Sequence, residues 1–274
     1  MTIKIGIIAG EGKMPVYVAQ KAQMRGDSVF AACIKGNASP SDFEPFSVKT
    51  VEFKMGQLNK GINFFKENGV DKVLMAGRVK HTAIFTNIMP DLRGAKMLAG
   101  LRDMKAETIL NAVIKEFGKD GIEFINSASY LEDFLPAPGL LTKRAPTEEE
   151  RQSIDFGIKA AKALSGLDIG LTVVVADRAV VALEGMEGTD SCILRAGELY
   201  KKSNKTNKSL VVVKAARPEQ DMRFDLPVVG KGTVESVIAA GGKVLAVESG
   251  KTLILDLPEV IQMADKNKIS IEAF

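Results

Sequence analysis

Read from its pattern alone, the chain is an α/β protein with an N-terminal Rossmann-like parallel-sheet domain (residues 1–134), a linker (135–146) and a mixed α/β C-terminal domain (147–274). Three observations predict this. Short apolar runs alternate with helical patterns throughout the first half, as parallel strands with crossover helices require. Three prolines crowd LPAPGLLTKRAPT, Leu135 to Thr147, and punctuation of that density separates units. Beyond it the apolar runs follow one another closely enough to pair as hairpins.

The first element is an apolar run from Ile3 to Ala9, broken only by Lys4 and Gly6. It leads through GEGKMP into a helical pattern from Pro15 to about Gln23, a strand, Gly-rich turn and helix in succession. Gly10 and Gly12 form GxG with Lys13 behind them, and Pro15 suits a first helical turn, so the helix start can meet an anion. The third glycine of the dinucleotide fingerprint is absent. The next strand, Ser28 to Ile34, runs into Lys-Gly instead of an acid for ribose, which counts against NAD. A strand at Val48 to Phe53, a helix around Leu58 to Asn68 and a strand at Lys72 to Met75 continue the alternation. Ligands of such sheets sit outside the carboxyl ends of the strands, which puts Gly10, Gly12, Lys13, Gly77, Arg78, Lys80 and His81 on one rim. His81 reads as a surface or capping residue, since nothing near it in sequence resembles a catalytic partner. Helical spacing recurs from Arg93 to Phe117, and Glu123 to Asn126 ends this half as a strand.

After the prolines, Thr147 and Glu150 form a capping box for a helix reaching about Leu164. Leu171 to Ala176 and Ala179 to Leu183 flank Asp177-Arg178 as a hairpin, although Asn-Gly or Asp-Gly is the favoured turn. A helix at Ser191 to Lys202, a polar turn and an apolar strand at Ser209 to Val213 follow. The last stretch reads as a helix from Gly232 to Ala240, a hairpin in VLAVESGKTLILD turning at Gly250, and a helix from Leu257.

At 274 residues with 46% hydrophobic and 26% charged residues, the chain has an ordinary globular composition. A net charge of +3, three Tyr and no Trp make nucleic acid a poor partner. Cys33 and Cys192 form no CxxC, the start lacks the pattern of a signal peptide, and no apolar run is long enough to span a bilayer. The expected location is cytoplasmic, with any membrane contact peripheral.

Two acidic loops follow strand patterns in the second half. Glu184, Glu187 and Asp190 lie in LEGMEGTD, and Thr189 stands among them. The second loop, KAARPEQDMRFDLP, carries Lys214, Asp221, Arg223 and Asp225; in an extended segment the last three share one face. With a single histidine and no thiolate pair, a metal here is oxygen-ligated, which points to Mg²⁺ or Mn²⁺ completed by water and substrate phosphates. Carboxylates with Lys and Arg suit metal-assisted hydrolysis of a phosphate ester or diphosphate. Three alternatives stay open on residue types: a charged loop whose groups pair among themselves, a nucleotide-sugar-binding module without hydrolysis, and an NAD-dependent oxidoreductase.

IIAGEGKMP, LEGMEGTD with Arg195 after it, Lys214 followed by QDMRFDLPVVG, and GTVESVIAAGGKVLAVESGKTLILD occur in this order. The set resembles the UDP-2,3-diacylglucosamine pyrophosphatase family of lipid A synthesis, of the type unrelated to calcineurin-like phosphoesterases. That resemblance implies hydrolysis of UDP-2,3-diacylglucosamine to UMP and 2,3-diacylglucosamine 1-phosphate, with Mg²⁺, a site between two domains and water attack at the sugar-linked phosphorus. It marks Asp225 as the essential aspartate, with Asp221 and Arg223 as catalytic companions. The expected metal ligands are Glu187, Asp190 and Asp225; the expected substrate contacts are Gly10, Gly12, Lys13, Gly77, Arg78, Lys80, Thr189 and Lys214. It also implies peripheral contact with the inner membrane surface, and a homodimer is left open.

Overall fold

A computed structural model describes residues 2–79, 89–167, 169–202, 209–218, 221, 223 and 226–274, apart from the side chain of Ala106. The chain divides into two compact units. One runs to Leu131 and takes in Arg223; the other comprises Glu132 to Asp221 and the chain from Leu226 onward.

The first unit holds a five-stranded parallel sheet of β1 (Lys4–Ala9), β2 (Ser28–Ile34), β3 (Ser47–Phe53), β4 (Lys72–Ala76) and β5 (Glu123–Phe124). Its order is β3-β2-β1-β4-β5, the doubly wound arrangement in which strand order reverses beside β1. Strands buried on both faces need continuous apolar runs, and Ile5 to Ala9 and Val29 to Ile34 supply them. Helices α1 (Met14–Met24) and α2 (Leu58–Glu67) follow β1 and β3.

The helical spacing of Arg93 to Phe117 does not make one helix. It is divided into α3 (Leu92–Ala99) and α4 (Ala106–Gly118), with Gly100 capping the first. Asp91 caps α3 by accepting from Gly94 N at 2.8 Å. Arg93 reaches from α3 to Glu116 Oε2 at 2.9 Å and Asp120 Oδ2 at 2.6 Å, joining the two helices by charge. A periodicity count registers both helical faces and misses the corner between them.

The second unit is built on a six-stranded mixed sheet, β6-β13-β11-β9-β7-β8. Its strands are β6 (Gly139–Leu140), β7 (Thr172–Ala176), β8 (Ala179–Leu183), β9 (Leu210–Lys214), β11 (Gly242–Val247) and β13 (Ser270–Ala273). β6 falls within residues 135–146 and pairs antiparallel with β13. Helix α5 (Glu148–Gly166) covers one face, packing on Val173, Val175, Val211 and Val213. Helices α6 (Thr189–Lys202), α7 (Lys231–Ala240) and α8 (Leu257–Lys266) contribute to the core on the other, with Val174, Leu210, Val212 and Leu245.

The capping box forms as expected: Thr147 N donates to Glu150 Oε2 at 2.8 Å and Glu150 N to Thr147 Oγ1 at 3.3 Å. The β7–β8 hairpin also forms, with φ of +50° at Asp177 and +58° at Arg178. Positive φ at both central residues is what a tight hairpin turn demands, here met without glycine.

The second expected hairpin does not form. β11 lies between β9 and β13, parallel to both, while β12 (Leu253–Ile254) leaves for a separate pairing with β10 (Val228–Val229). Gly250 does turn the chain, with φ +66°, but Leu253 N donates to Pro227 O instead of returning to β11. Two apolar runs around a glycine specify a turn without specifying which strand each run joins. The final strand, β13, follows α8 where the sequence reading had only a helix.

Candidate functional site

In the first unit the loops after β1 and β4 close on each other. Glu11 N donates to Arg78 O at 2.8 Å, and Arg78 N donates back to Glu11 O at 2.9 Å. This bridge explains two of the glycines. A Cβ at Gly10 would lie 2.8 Å from Arg78 O; one at Gly77, where φ is +86°, would lie 2.8 Å from Glu11 O. Gly12, with φ +104°, faces open space instead. Lys13 occupies the N-cap of α1, with Pro15 in the first turn, and Arg78 Nη2 stands 3.9 Å from Glu11 Oε2. Gly10, Gly12, Lys13, Gly77 and Arg78 therefore share one rim; Lys80 and His81 lie outside the described residues.

In the second unit the candidate residues gather where the apolar face of the sheet gives way to polar groups. Alternation along β9 puts Lys214 on the same face as Leu210 and Val212, and its cross-strand partner is Thr172. Lys214 is 5% exposed, Thr172 0% and Glu184 9%, so this is a buried polar cluster. Lys214 Nζ donates to Thr189 Oγ1 at 2.6 Å, and Thr189 Oγ1 donates to Glu184 Oε1 at 2.9 Å. Thr172 Oγ1 lies 3.3 Å from Thr189 Oγ1, and Leu171 N donates to Glu184 Oε2 at 3.2 Å. Buried polar groups are stable only when partnered, and here each partners the next.

The start of helix α6 carries Thr189, so this cluster sits at a helix N-terminus as well as a strand end. Helix α7 runs beside α6 in the same direction. A Cβ at Gly232 would lie 3.6 Å from Asp190 Oδ2, and one at Gly197 would lie 2.6 Å from Ala240 Cα. Two helix N-termini thus lie side by side, each with a partial positive charge.

The other acidic residues take different parts. Glu187 Oε1 accepts from Arg195 Nη2 at 2.6 Å and its Oε2 from Gly185 N at 3.0 Å. The Arg195 guanidinium, followed by backbone N–H groups, holds the Glu187 carboxyl below the usual carboxylate range. Asp190 is exposed in the first turn of α6. Among the described residues no group of three or more His, Cys, Asp or Glu converges on a cation position. Asp221 belongs to the second unit, and Arg223 to the first, where Ser127 Oγ lies 2.5 Å from its carbonyl oxygen. Asp225 lies outside the described residues.

The loop that leaves β9 is anchored by groups the sequence reading passed over. Ala216 N donates to Glu248 Oε2 at 2.8 Å, and Lys162 Nζ, from α5, reaches the same oxygen at 2.5 Å. Lys251 Nζ stands 3.0 Å from Glu248 Oε1. Burial alone would push the Glu248 carboxyl up, but Lys162, Lys251 and the Ala216 N–H outweigh it and hold it below the ordinary range. The available signal was a lysine within an apolar helix face and a glutamate just past an apolar strand, each needing a buried partner.

These features define a two-unit α/β protein with a doubly wound sheet and, in its second unit, a buried polar cluster of Lys214, Thr189, Glu184 and Thr172 at strand and helix ends. Comparison with known families is consistent across its length. The LpxI N-terminal domain model matches residues 4–134 and the LpxI C-terminal domain model matches residues 137–272. A relative from Caulobacter vibrioides, the UDP-2,3-diacylglucosamine pyrophosphatase LpxI, is 31% identical over 268 residues, covering 96% of this chain and 94% of that protein. The chain belongs to the LpxI family.

Two solved structures match at far lower identity. A UDP-glucose-4-epimerase from Stenotrophomonas maltophila is 10% identical with a TM-score of 0.33, covering 97% of this chain and 98% of that one. An N5-carboxyaminoimidazole synthetase from Staphylococcus aureus is 14% identical with a TM-score of 0.26, covering 64% of this chain but only 39% of that one. Neither score is high enough to establish a shared fold.

Proposed function

We propose that this chain hydrolyses the diphosphate bond of UDP-2,3-diacylglucosamine, giving UMP and 2,3-diacylglucosamine 1-phosphate for lipid A synthesis. The observation that carries the reading is the 31% identity to a pyrophosphatase of that name over 96% of the chain. The chemistry of the second unit supports it: a diphosphate is doubly anionic, and Lys214 beside the start of α6 is suited to bind such a group.

In this reading Lys214 and the N–H groups opening α6 and α7 hold diphosphate oxygens. Arg223 and Asp221 assist, and Asp225 orients a water or accepts its proton. The water oxygen forms a bond to the sugar-linked phosphorus, the bond from that phosphorus to the bridging oxygen breaks, and UMP departs with the bridging oxygen.

A hard divalent cation, Mg²⁺ or Mn²⁺, belongs to the same proposal. Its expected ligands fit only partly: both Glu187 oxygens are already engaged, by Arg195 and by Gly185 N. Mg²⁺ commonly takes one or two carboxylates and completes its shell with water and substrate phosphates, a number within reach of Asp225 and Asp190. When bound it would supply charge neutralisation on the phosphates. Peripheral contact with the cytoplasmic face of the inner membrane follows from the amphiphilic substrate; among the described residues no helix is long and apolar enough to cross a bilayer.

The test is turnover of UDP-2,3-diacylglucosamine by purified protein, read as UMP release, with Lys214→Met in parallel. Wild-type release with a loss of about a hundredfold or more in the variant supports the reading. No UMP from folded wild-type protein, with Mg²⁺ or Mn²⁺ supplied, refutes it.

A further inference from the structure

The buried cluster in the second unit has a fixed hydrogen-bond direction. A lysine ammonium has only protons to give, so at 2.6 Å Thr189 Oγ1 must accept from Lys214 Nζ. A hydroxyl has one proton of its own, and an ionised carboxylate can only accept; at 2.9 Å the Thr189 proton therefore goes to Glu184 Oε1. Thr172, 3.3 Å from Thr189, fills the second acceptor position. The other Glu184 oxygen accepts from Leu171 N, which ties the carboxylate to the residue before β7. With its proton and both lone pairs engaged, the Thr189 hydroxyl is a link in a chain and not a substrate contact.

We infer that Glu184 is a positioning residue that acts on Lys214 through Thr189. This rests on the reading above that Lys214 meets the diphosphate. Glu184 fixes which way the Thr189 hydroxyl points, so the lone pair facing Lys214 is always available, and the ammonium is held at the end of β9 instead of sampling its several rotamers. Its negative charge also stands one hydroxyl away from a cation that is 5% exposed, where an opposite charge nearby offsets part of the cost of burial. An amide at position 184 cannot reproduce this. With its oxygen toward Thr189, its NH₂ faces the Leu171 N–H; turned over, its NH₂ faces a hydroxyl already accepting from Lys214.

The experiment uses the full chain and single-turnover release of UMP from UDP-2,3-diacylglucosamine at excess enzyme, so that slow variants stay measurable. Glu184→Gln is expected to lower the rate about 10- to 100-fold, the scale of a misplaced binding group. In a Lys214→Met background the same change should cost less than about threefold, because Glu184 then has nothing to position. Thr189→Val, which removes the hydroxyl at nearly constant shape, should behave as Glu184→Gln in both backgrounds. Thr189→Ser, which keeps the oxygen, should restore most of the rate.

Equal losses for Glu184→Gln with and without Lys214 would overturn the inference, since a general structural defect acts in either background. So would a Glu184→Gln rate within about threefold of wild type. If Glu184→Gln does not fold, Thr189→Val in the two backgrounds decides in the same way. A folded wild-type chain that releases no UMP overturns the substrate reading and this inference with it, whereas active wild type with additive variants overturns only the role of Glu184.

Discussion

Replacing Glu248 by Gln removes the carboxylate that secures the exit of β9. Three donors converge on it: the Ala216 N–H at 2.8 Å, Lys162 at 2.5 Å and Lys251 at 3.0 Å. The Glu248 side chain is 12% exposed and that of Lys162 31%, so the Lys162 pair is only partly screened by solvent, while the Lys251 pair, at 42% exposure on the lysine side, adds little. A hydrogen bond to a charged group is worth about 1.5–3 kcal/mol, and an amide keeps one acceptor, so the net loss at neutral pH should be about 2 kcal/mol. For a domain of this size that is a fall in Tm of about 4–8 °C.

The pH dependence follows from the direction of the Glu248 shift. Its carboxyl in the folded protein lies below the ordinary value because Lys162, Lys251 and Ala216 N overcome the effect of burial. An unfolded glutamate titrates near pH ~4.3. The stabilisation is therefore complete above that pH and is lost as pH falls through the lower folded value. Thermal melts of wild type and Glu248→Gln, followed by circular dichroism, should differ fully at pH 7 and converge in acid. Equal Tm values at pH 7, or a gap that widens in acid, would refute the reasoning.

Gly197→Ala puts a Cβ 2.6 Å from Ala240 Cα, backbone against backbone at the α6–α7 contact, and should destabilise by about 1–3 kcal/mol in a chemical denaturation series. A neutral change would mean that the two helices can separate without cost. Chelation by EDTA should abolish UMP release and added Mg²⁺ or Mn²⁺ should restore it; full activity in excess EDTA removes the cation from the account. Asp225→Asn should bind UDP-2,3-diacylglucosamine about as well as wild type in a titration, yet turn it over on the order of a thousandfold more slowly, since an amide accepts no proton and ligates a cation weakly.

Most of the first unit's sheet was legible because doubly covered parallel strands must be apolar on both faces, and β1, β2 and β4 read as short, mostly apolar runs. The β7–β8 hairpin was legible from two flanking runs although its turn residues were unfavourable. What failed had a common cause. The pairing of β12 with β10, and the placement of β11 between β9 and β13, depend on partners distant in sequence that no local pattern specifies.

The site divides in the same way. Lys214 was read as opening the second acidic loop and Thr189 as standing among the carboxylates of the first, each as an expected substrate contact, and the fold joins them. Gly10 and Gly77 were grouped correctly on one rim, but a ligand was the expected reason, whereas the Glu11–Arg78 bridge supplies one without it. Glu184 looked like one more carboxylate of an acidic loop. Its part in the cluster became visible only when β7, β8, β9 and α6 brought Leu171, Thr189 and Lys214 to it. Glu248 and Lys162 gave no signal in the acidic loops because they support the second loop from outside it.

The most direct test of the account is a single turnover of UDP-2,3-diacylglucosamine by the purified chain in ¹⁸O-labelled water, with both products analysed by mass spectrometry. The account predicts UMP and 2,3-diacylglucosamine 1-phosphate in equal amounts, with the label in the phosphate of the sugar product. Label in UMP would contradict attack at the sugar-linked phosphorus, and the absence of both products would contradict hydrolysis itself.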